Sequence, residues 1–271
     1  MDLNTITEIR RPLGADSVTS WEPGFAWLAG GTWLFSEPQE STHTLIDIES
    51  FRWPSLTVSP EGLEIAATCK IAELDHFVAP AEWRAAPLFR ECCEAFLASF
   101  KIWNEATVGG NIVMSLPAGP MISLTAALEG ICTLWPRNGV PREIAVVDFV
   151  TGNHGNALAP GELLRSIRVP ISALRKERAF RRFSLTGLGR SEVLLIGTRC
   201  PGSGEFILTV TAATLRPVQF KYSSLPSAEE LKQAIDGIPL EDYLDDPHGS
   251  PAHRRHLTYY FAEQIRRELG S

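Results

Sequence analysis

Strand-like and helix-like segments alternate through the first ~170 residues, a pattern typical of domains in which helices cover a sheet. The run FAWLAGGTW (25–33) is apolar and ends in two glycines, which predicts a buried strand and a tight turn. HTLIDIES (43–50) alternates apolar and polar residues, as a half-buried strand does. GLEIAATCKIAELDHF (62–77) predicts a strand followed by a short helix with Thr68 as its N-cap. The fold is therefore predicted to be mixed, with both helices and strands.

Further segments up to residue 170 continue this alternation. PLFRECCEAFLAS (87–99) has apolar residues at helical spacing, and MISLTAALEG (121–130) predicts a helix that ends at Gly130. ICTLWP (131–136) predicts a strand ended by its proline, and LLRSIRVP (163–170) predicts another strand. A polar, glycine-rich loop is predicted between these two strands, at 151–162.

The composition changes at residues 171–178, where a charged segment follows a proline. Beyond it, EVLLIGTRC and EFILTVTAATLRPVQF are rich in strand-forming residues. SAEELKQAID predicts a helix with Ser227 as N-cap and Glu230 completing a capping box. SPAHRRHLTYYFAEQIRREL (250–269) predicts a long helix with Ser250 as N-cap and Pro251 in its first turn. The charged segment is therefore the predicted boundary before a smaller α+β domain.

Charge and hydropathy argue against several classes of protein. The 271 residues carry a net charge of −7 with a pI of about 5.5, so the chain as a whole has no basic excess for nucleic acid. No apolar run approaches the ~20 residues that span a bilayer, so no membrane span is predicted. The sequence MDLNTITEIRRPLG lacks the pattern of a signal peptide. We therefore expect a cytoplasmic protein, with export inside a folded complex as the alternative.

Metal, disulfide and hydrolase motifs are missing from the sequence. The five cysteines show no CxxC spacing and are predicted to be free buried thiols: Cys69, Cys92, Cys93, Cys132 and Cys200. Neither GxSxG nor HExxH occurs. PGSGE (201–205) is interpreted as a loop tip, and His253 with His256 as part of a basic helix face rather than a metal site. The sequence therefore predicts no catalytic residue and no metal ligand.

Two double-glycine turns are the candidate ligand-binding features. AGGTW (29–33) and TVGGN (107–111) each place two glycines beside a threonine. Glycine lets backbone N–H groups approach a ligand closely, so such turns can cradle phosphate oxygens, with the Thr32 and Thr107 hydroxyls as further donors. Simple chain reversal is the alternative for each turn. Neither matches GxGxxG or GxxxxGK[ST].

With these segments the chain resembles the FAD-binding medium subunits of molybdenum hydroxylases, the family of carbon monoxide dehydrogenase and bacterial xanthine dehydrogenases. LAGGTWL (28–34) is similar to the family's Ala-Gly-Gly-Thr-Asp-Leu loop. IWNEATVGGNI (102–112) is similar to Ile-Arg-Asn-x-Ala-Thr-Ile-Gly-Gly-Asn-Ile, the most specific match. LAPGELLRSIRVP (158–170) and the tail DPHGSPAHRRHLTYYFAEQI (246–265) follow further family segments, so the resemblance runs nearly end to end.

The resemblance implies an α+β (mixed α/β) fold of two FAD-binding subdomains and a small C-terminal domain. The FAD-binding domain would cover residues 1–172, divided into about 1–57 and 58–172, and the C-terminal α+β domain residues 173–271. The first turn would wrap the pyrophosphate, the second would contact the flavin, and two further residues would lie at the isoalloxazine ring and its pyrimidine end. The implied cofactor contacts are Ala29, Gly30, Gly31, Thr32, Trp33, Leu34, Thr107, Gly109, Gly110, Asn111, Leu164 and Arg181.

The chain departs from the family pattern at three positions. Trp33 stands where the family usually has an acidic residue, Trp103 where it has arginine, and Pro120 where it has aspartate. A proline side chain makes no hydrogen bond, so the loss of that aspartate removes a contact that contributes on the order of 1 kcal/mol. These changes predict altered FAD affinity or a rebuilt loop.

The implied function is electron transfer within a complex. A molybdopterin-binding large subunit would oxidise the substrate, and a small iron–sulfur subunit would pass electrons to FAD on this chain and on to NAD or another acceptor. The cofactor would carry the redox chemistry, which agrees with the missing catalytic motifs. Two alternatives stay open: a scaffold subunit that has weakened or lost FAD, and a self-sufficient flavin oxidase or reductase.

Overall fold

The computed structural model describes residues 4–18, 20–137 and 139–271, so the first three residues of the predicted FAD-binding domain lie outside it. A small parallel sheet comes first and has the strand order β1-β3-β2. Its strands are β1 (Glu8–Arg10), β2 (Phe25–Leu28) and β3 (Thr44–Asp47). Strands occur within both predicted segments, 25–33 and 43–50, but β2 is half-buried rather than buried as predicted. The second strand ends at Asp47, where the 3₁₀ turn begins.

A five-stranded antiparallel sheet forms the middle of the molecule, in the order β4-β5-β10-β6-β7. Long strand β10 lies at its centre and pairs with β5 and β6. A two-stranded ribbon, β8 with β9, falls within the predicted polar loop. The strands are β4 (Leu56–Ser59), β5 (Gly62–Ala66), β6 (Ile131–Trp135), β7 (Arg142–Ala145), β8 (Val150–Gly152), β9 (Gly155–Asn156) and β10 (Leu163–Pro170).

Short helices cover this sheet, and one of them begins later than predicted. The helix after β5 starts at Ile71 with Lys70 as N-cap, so the prediction of Thr68 is wrong. Glu73 accepts the Lys70 N–H at 2.8 Å and supplies the missing cap contact. The helices are α1 (Ile71–Asp75), α2 (Pro87–Glu94), α3 (Phe100–Trp103), α4 (Val108–Met114), α5 (Pro120–Ala127), α6 (Val146–Phe149) and α7 (Ile171–Leu174).

A four-stranded antiparallel sheet in the order β11-β12-β13-β14 follows, with two further helices. The Ser227 and Ser250 N-caps are confirmed, since each side chain accepts a backbone N–H from the first turn of its helix. The elements are β11 (Glu177–Phe183), β12 (Val193–Arg199), β13 (Phe206–Thr211), β14 (Val218–Tyr222), α8 (Ala228–Asp236) and α9 (Pro251–Gly270). Single 3₁₀ turns lie at Ala15–Ser17, Ile48–Phe51 and Leu240–Asp242.

Helix α5 joins the second and third sheets. All eight of its residues are buried, so it is covered on every face. The Ser123 hydroxyl hydrogen-bonds the Thr211 hydroxyl of β13 at 2.6 Å, and Ala212 N donates to the Pro117 carbonyl at 2.9 Å. The other face of the third sheet packs against α9. Among the described helices, none has the length and hydropathy to cross a bilayer.

Candidate functional site

The first double-glycine turn lies against residues 105–106, which lead into the second double-glycine turn. The first glycine turn (29–34) follows β2, and the second (107–111) leads into α4. A Cβ at Gly30 would lie 1.7 Å from the Glu105 carbonyl oxygen, so only glycine allows this contact. Lys70 Nζ donates to the same carbonyl at 3.1 Å and supports the second turn from another side.

The turns form part of the wall of a cleft of about 1020 Å³. Trp27–Leu34 lines one side, and residues of the 106–120 segment line the other. His154 and the C-terminal segment 244–246 also line the cleft, so residues from both the N-terminal and the C-terminal part of the chain form its walls. Mostly apolar walls with a few polar groups, at this size, are typical of a site for a large organic cofactor.

Backbone N–H groups of the first glycine turn are available to a ligand. In the described part of the chain, the N–H groups of residues 30–34 meet no protein acceptor. Gly31 has φ of +69°, the left-handed conformation that favours glycine. Successive N–H groups around such a turn make a concavity that binds anions. The first glycine turn therefore has the form of a phosphate cradle.

The second glycine turn uses its N–H groups inside the protein. Val108 N donates to the Cys69 carbonyl at 2.8 Å, and Gly109 N donates to the Ala67 carbonyl at 3.0 Å. Gly110 N donates to Thr107 Oγ1 at 3.0 Å, which makes Thr107 the N-cap of α4. This turn therefore offers side chains to a ligand rather than backbone donors.

Gly109 does not line the cleft. A Cβ at this position would lie 2.5 Å from the Ala67 Cα, so the glycine is needed for packing of α4 against the end of β5. Thr107, Gly110 and Asn111 line the cleft beside it. Of the glycine pair, Gly109 is therefore required for packing, whereas Gly110 lines the cleft.

Asn111 and Pro120 line the part of the cleft that lies at the start of α5. The Asn111 Oδ1 accepts the Met121 N–H at 3.1 Å, so its Nδ2 is the amide atom left for a ligand. Pro120 is buried in the first turn of α5, a position where proline fits because its missing N–H has no helical partner. Pro120 therefore starts a helix, and Asn111 caps it.

Arg190 brings the positive charge to the cleft. It is the lone arginine or lysine among the described lining residues, and its NH2 pairs with Asp246. Asp246 in turn accepts from the fully buried Arg254 at 2.6 Å. Burial, and then the nearby Arg254 charge, lower the pKa of Arg190. Its Nε is shielded from solvent and has no partner among the described residues.

Trp33 and His154 meet across the mouth of the cleft. Their ring centroids lie 5.6 Å apart at an interplanar angle of 48°. His154 has φ of +57°, and its backbone N–H donates to the Ser115 carbonyl at 3.1 Å, which fixes the backbone of the loop that carries the ring. An aromatic pair therefore stands where the resemblance implied an acidic residue.

Besides Gly109, two of the predicted cofactor contacts lie outside this cleft, Leu164 and Arg181. Leu164 is 2% exposed on β10, opposite Leu134 of β6. Arg181 donates to Gln264 at 2.7 Å and to Glu268 at 2.5 Å on α9, and it lines a second cavity. Their roles at the flavin ring stay predictions, as do those of the residues that line the cleft.

His154, Arg190 and Asp246 were missed from the sequence. His154 lies in the glycine-rich loop and Arg190 in a segment without periodicity, so no local signal marked either one. Asp246 begins the family-like tail motif, which was a usable signal. Groups of three or more potential metal ligands do not occur among the described residues.

Comparisons with known proteins agree with this geometry. The family model of the FAD binding domain in molybdopterin dehydrogenase matches residues 13–172. The xanthine dehydrogenase of Oryza sativa subsp. japonica is 29% identical over 122 residues, which is 43% of this chain and 9% of that protein. The chain thus spans only about a tenth of the length of that relative.

Solved structures share the fold over nearly the whole chain. Quinoline 2-oxidoreductase from Pseudomonas putida 86 superposes with a TM-score of 0.80 at 18% identity, covering 99% of this chain and 98% of that chain. Carbon monoxide dehydrogenase from Hydrogenophaga pseudoflava gives 0.81 at 18% identity, covering 98% and 97%. The predicted α+β fold is confirmed. Because the family model matches more than half of the chain, this protein belongs to the FAD-binding domain family of molybdopterin dehydrogenases.

Proposed function

We propose that this chain is the FAD-binding electron-transfer subunit of a molybdenum hydroxylase complex. Its partners would be a molybdopterin-binding large subunit and a small iron–sulfur subunit, with NAD or another molecule as the final acceptor. The observation that carries the proposal is the phosphate cradle of the first glycine turn, which opens into a cleft of cofactor size. Family membership identifies FAD as the cofactor that such a cleft would hold.

The residues present fit FAD. The N–H groups of residues 30–34 would bind the pyrophosphate, as in other turns that cradle phosphates without lysine. Asn111 Nδ2 is a further donor, and the Arg190 guanidinium would add positive charge to the cleft. A Cβ at Gly30 would push the first turn away from residues 105–106, which lead into the second turn. Bound FAD would supply the electron-transfer chemistry.

The chain's own residues would hold and shield the cofactor. The apolar walls, including Leu116 and Met114, exclude water and lower the local dielectric constant, which strengthens each hydrogen bond made inside. Arg190 is fixed by Asp246 and Arg254, so its guanidinium would keep its position as the cofactor's charge changes. The proposed role asks for no acid–base residue.

Visible absorbance of the purified full-length chain tests the proposal. We expect flavin bands, or their appearance after FAD is added, with one FAD bound per chain. Co-expression with a molybdopterin subunit and an iron–sulfur subunit should yield a complex that reduces an added dye only when all three are present. A chain that stays colourless in excess FAD would contradict the proposal.

A scaffold without FAD is the second candidate, because the Trp33 and His154 rings meet across the mouth of the cleft. The variant Trp33→Asp, which restores the family's acidic residue, separates the two candidates. If the aromatic pair blocks the cleft, the variant gains FAD binding that the natural chain lacks. Stoichiometric FAD on the natural chain would exclude the scaffold function.

A further inference from the structure

His154 lies beside the phosphate cradle that the first glycine turn forms. Its ring centroid is 5.6 Å from that of Trp33, and Trp33 belongs to this turn, whose N–H groups are available to a ligand. The loop between β8 and β9 carries His154, and the Ser115 carbonyl accepts its backbone N–H at 3.1 Å. The side chain is exposed and lines the cleft, so its imidazole is accessible to a molecule bound there.

The charged side chains of the cleft come from the C-terminal part of the chain. Among the described lining residues they are Arg190, Asp245 and Asp246. The two aspartates outnumber the arginine, so the lining has no excess of positive charge while His154 is neutral. A pyrophosphate with two negative charges would then be held mainly by backbone donors.

No other titratable side chain lies on the elements around His154. The first glycine turn (29–34), helix α4 with its C-cap Ser115, and residues 150–156 contain no further acidic, basic, cysteine or tyrosine residue. Among the described residues that line the cleft, His154 is also the one histidine. Imidazole changes its charge between about pH 5 and pH 8, whereas ordinary carboxylates and guanidinium groups keep theirs. Between these pH values, the charge of the lining therefore changes through His154.

Trp33 gives the protonated ring a reason to stay beside the cradle. A cation within about 6 Å of an indole ring is attracted to the ring by its quadrupole. The two rings lie within this distance, at an interplanar angle of 48°. Protonation therefore adds an attraction to Trp33 at the same time as it adds a positive charge to the cleft.

We propose that His154 is a pH-dependent cofactor-binding residue whose imidazolium binds the pyrophosphate of FAD at the cradle. The inference rests on the proposed function, because it concerns the ligand of that cleft. At about pH 5.5 the charged ring donates an N–H to a phosphate oxygen, and such charge-assisted bonds are stronger than neutral ones. At about pH 8 the neutral ring no longer attracts the phosphates. The affinity for FAD therefore rises as the pH falls.

Fluorescence titration of the full-length chain with FAD, after removal of any bound FAD, tests the inference at about pH 5.5 and about pH 8. We expect the natural chain to bind FAD about fivefold more tightly at the lower pH. The pyrophosphate keeps the same charge at both values, so the difference reports on the protein.

Two substitutions at His154 fix the charge in opposite ways. His154→Asn should bind FAD at both pH values as the natural chain does at pH 8, because asparagine accepts the left-handed backbone and has no charge. His154→Arg should bind at both values as the natural chain does at pH 5.5, and Arg52 shows that arginine adopts this conformation in the chain, with φ of +54°. His256→Gln is the control, since His256 is exposed on α9 outside the cleft, and it should keep the full pH dependence.

Three results would overturn the inference. Equal FAD affinity of the natural chain at both pH values would show that no titrating group contacts the pyrophosphate. An unchanged pH dependence in His154→Asn would assign the effect to another histidine. Weak binding by both His154 variants at both pH values would make the imidazole a structural part of the cleft. A chain that binds FAD equally at both pH values refutes this inference alone, whereas a chain that binds no FAD at either value contradicts the proposed function as well.

Discussion

At the scale of single residues, glycines determine the geometry of the cleft. Gly30→Ala should weaken FAD binding about tenfold or more, because its Cβ would lie 1.7 Å from the Glu105 carbonyl and would part the two glycine turns. Fluorescence titration with FAD measures the dissociation constant. Gly202→Ala is the control, since nothing lies within 4 Å of a Cβ there. Equal affinities of the two variants would show that contact between the turns is unnecessary.

The same residues show what the sequence could tell about the site. Glycine pairs mark turns wherever they occur, so both turns were found from the sequence. Their different uses were not predictable, because the acceptors of Val108 N and Gly109 N are carbonyls near the end of β5, some forty positions earlier in the chain. A donor is free or occupied according to its tertiary neighbours, and local sequence does not record them.

At the scale of secondary-structure elements, helix α9 holds the C-terminal part of the cleft in place. Arg254 is 0% exposed and donates to the carbonyls of Gly249, Glu192 and Ala212 as well as to Asp246. Arg254→Met should lower the free energy of unfolding by about 3–5 kcal/mol, because it leaves these acceptors buried without a donor.

Urea denaturation of the Arg254→Met variant measures this loss. Arg267→Met is the control on the same helix, because the Arg267 side chain is 74% exposed and its ion pair with Glu263 contributes less than about 1 kcal/mol. If both variants lost the same stability, the buried network would not hold the C-terminal elements together.

A second ion pair ties β7 to the loop before β10 and predicts a pH dependence. Arg142 donates to both Glu162 oxygens, at 2.8 and 2.6 Å, and holds the pKa of that carboxyl below its ordinary value of 4.5. Ionised Glu162 therefore stabilises the fold at pH values above the unfolded-state pKa. This contribution is lost as the pH falls through the lowered folded-state pKa.

Chemical denaturation at about pH 6 and about pH 3 tests the pH prediction, because the two values bracket the titration of a carboxyl. The stability gap between the natural chain and Glu162→Gln should be larger at the higher pH and shrink at the lower one. Glu94→Gln, which alters a pair with both side chains more than half exposed, should show little gap at either pH. A constant gap for Glu162→Gln would mean that the ion pair does not titrate with folding.

Most elements were predictable because their signals are local. The β6 and β10 strands and the α8 and α9 caps follow from alternation, proline and serine, and each is confirmed. The start of α1 was not predictable in this way, because the side chain of Glu73, and not that of Thr68, completes its first turn. Burial of α5 on every face could not be predicted from the local sequence either, because it requires that the third sheet packs on the far side of the helix.

At the scale of the whole molecule, the cleft depends on residues that the family model does not cover. That model ends at residue 172, whereas Arg190 and Leu244–Asp246 also line the cleft. Leu194 and Ile196 of the third sheet, and Ala212 directly after β13, belong to the same apolar core as residues of β10 and α5. The division into domains at about 57 and 172 stays a prediction, and the shared core leads us to expect one cooperative unfolding transition.

Binding of FAD should therefore stabilise the entire chain. A ligand that binds only the folded state adds RT ln(1 + [L]/Kd), about 2.7 kcal/mol at a hundred times Kd. We expect Arg190→Gln to reduce the rise in melting temperature at a fixed FAD concentration, because it removes a positive charge that the C-terminal part of the chain contributes to the cleft. Arg175→Gln makes the same charge change at an exposed position outside the cleft and should keep the full rise. Equal rises in the melting temperature of the two variants would restrict FAD contacts to the residues before 173. If the chain unfolded in two transitions and FAD raised the temperature of only one, the cleft would not couple the sheets.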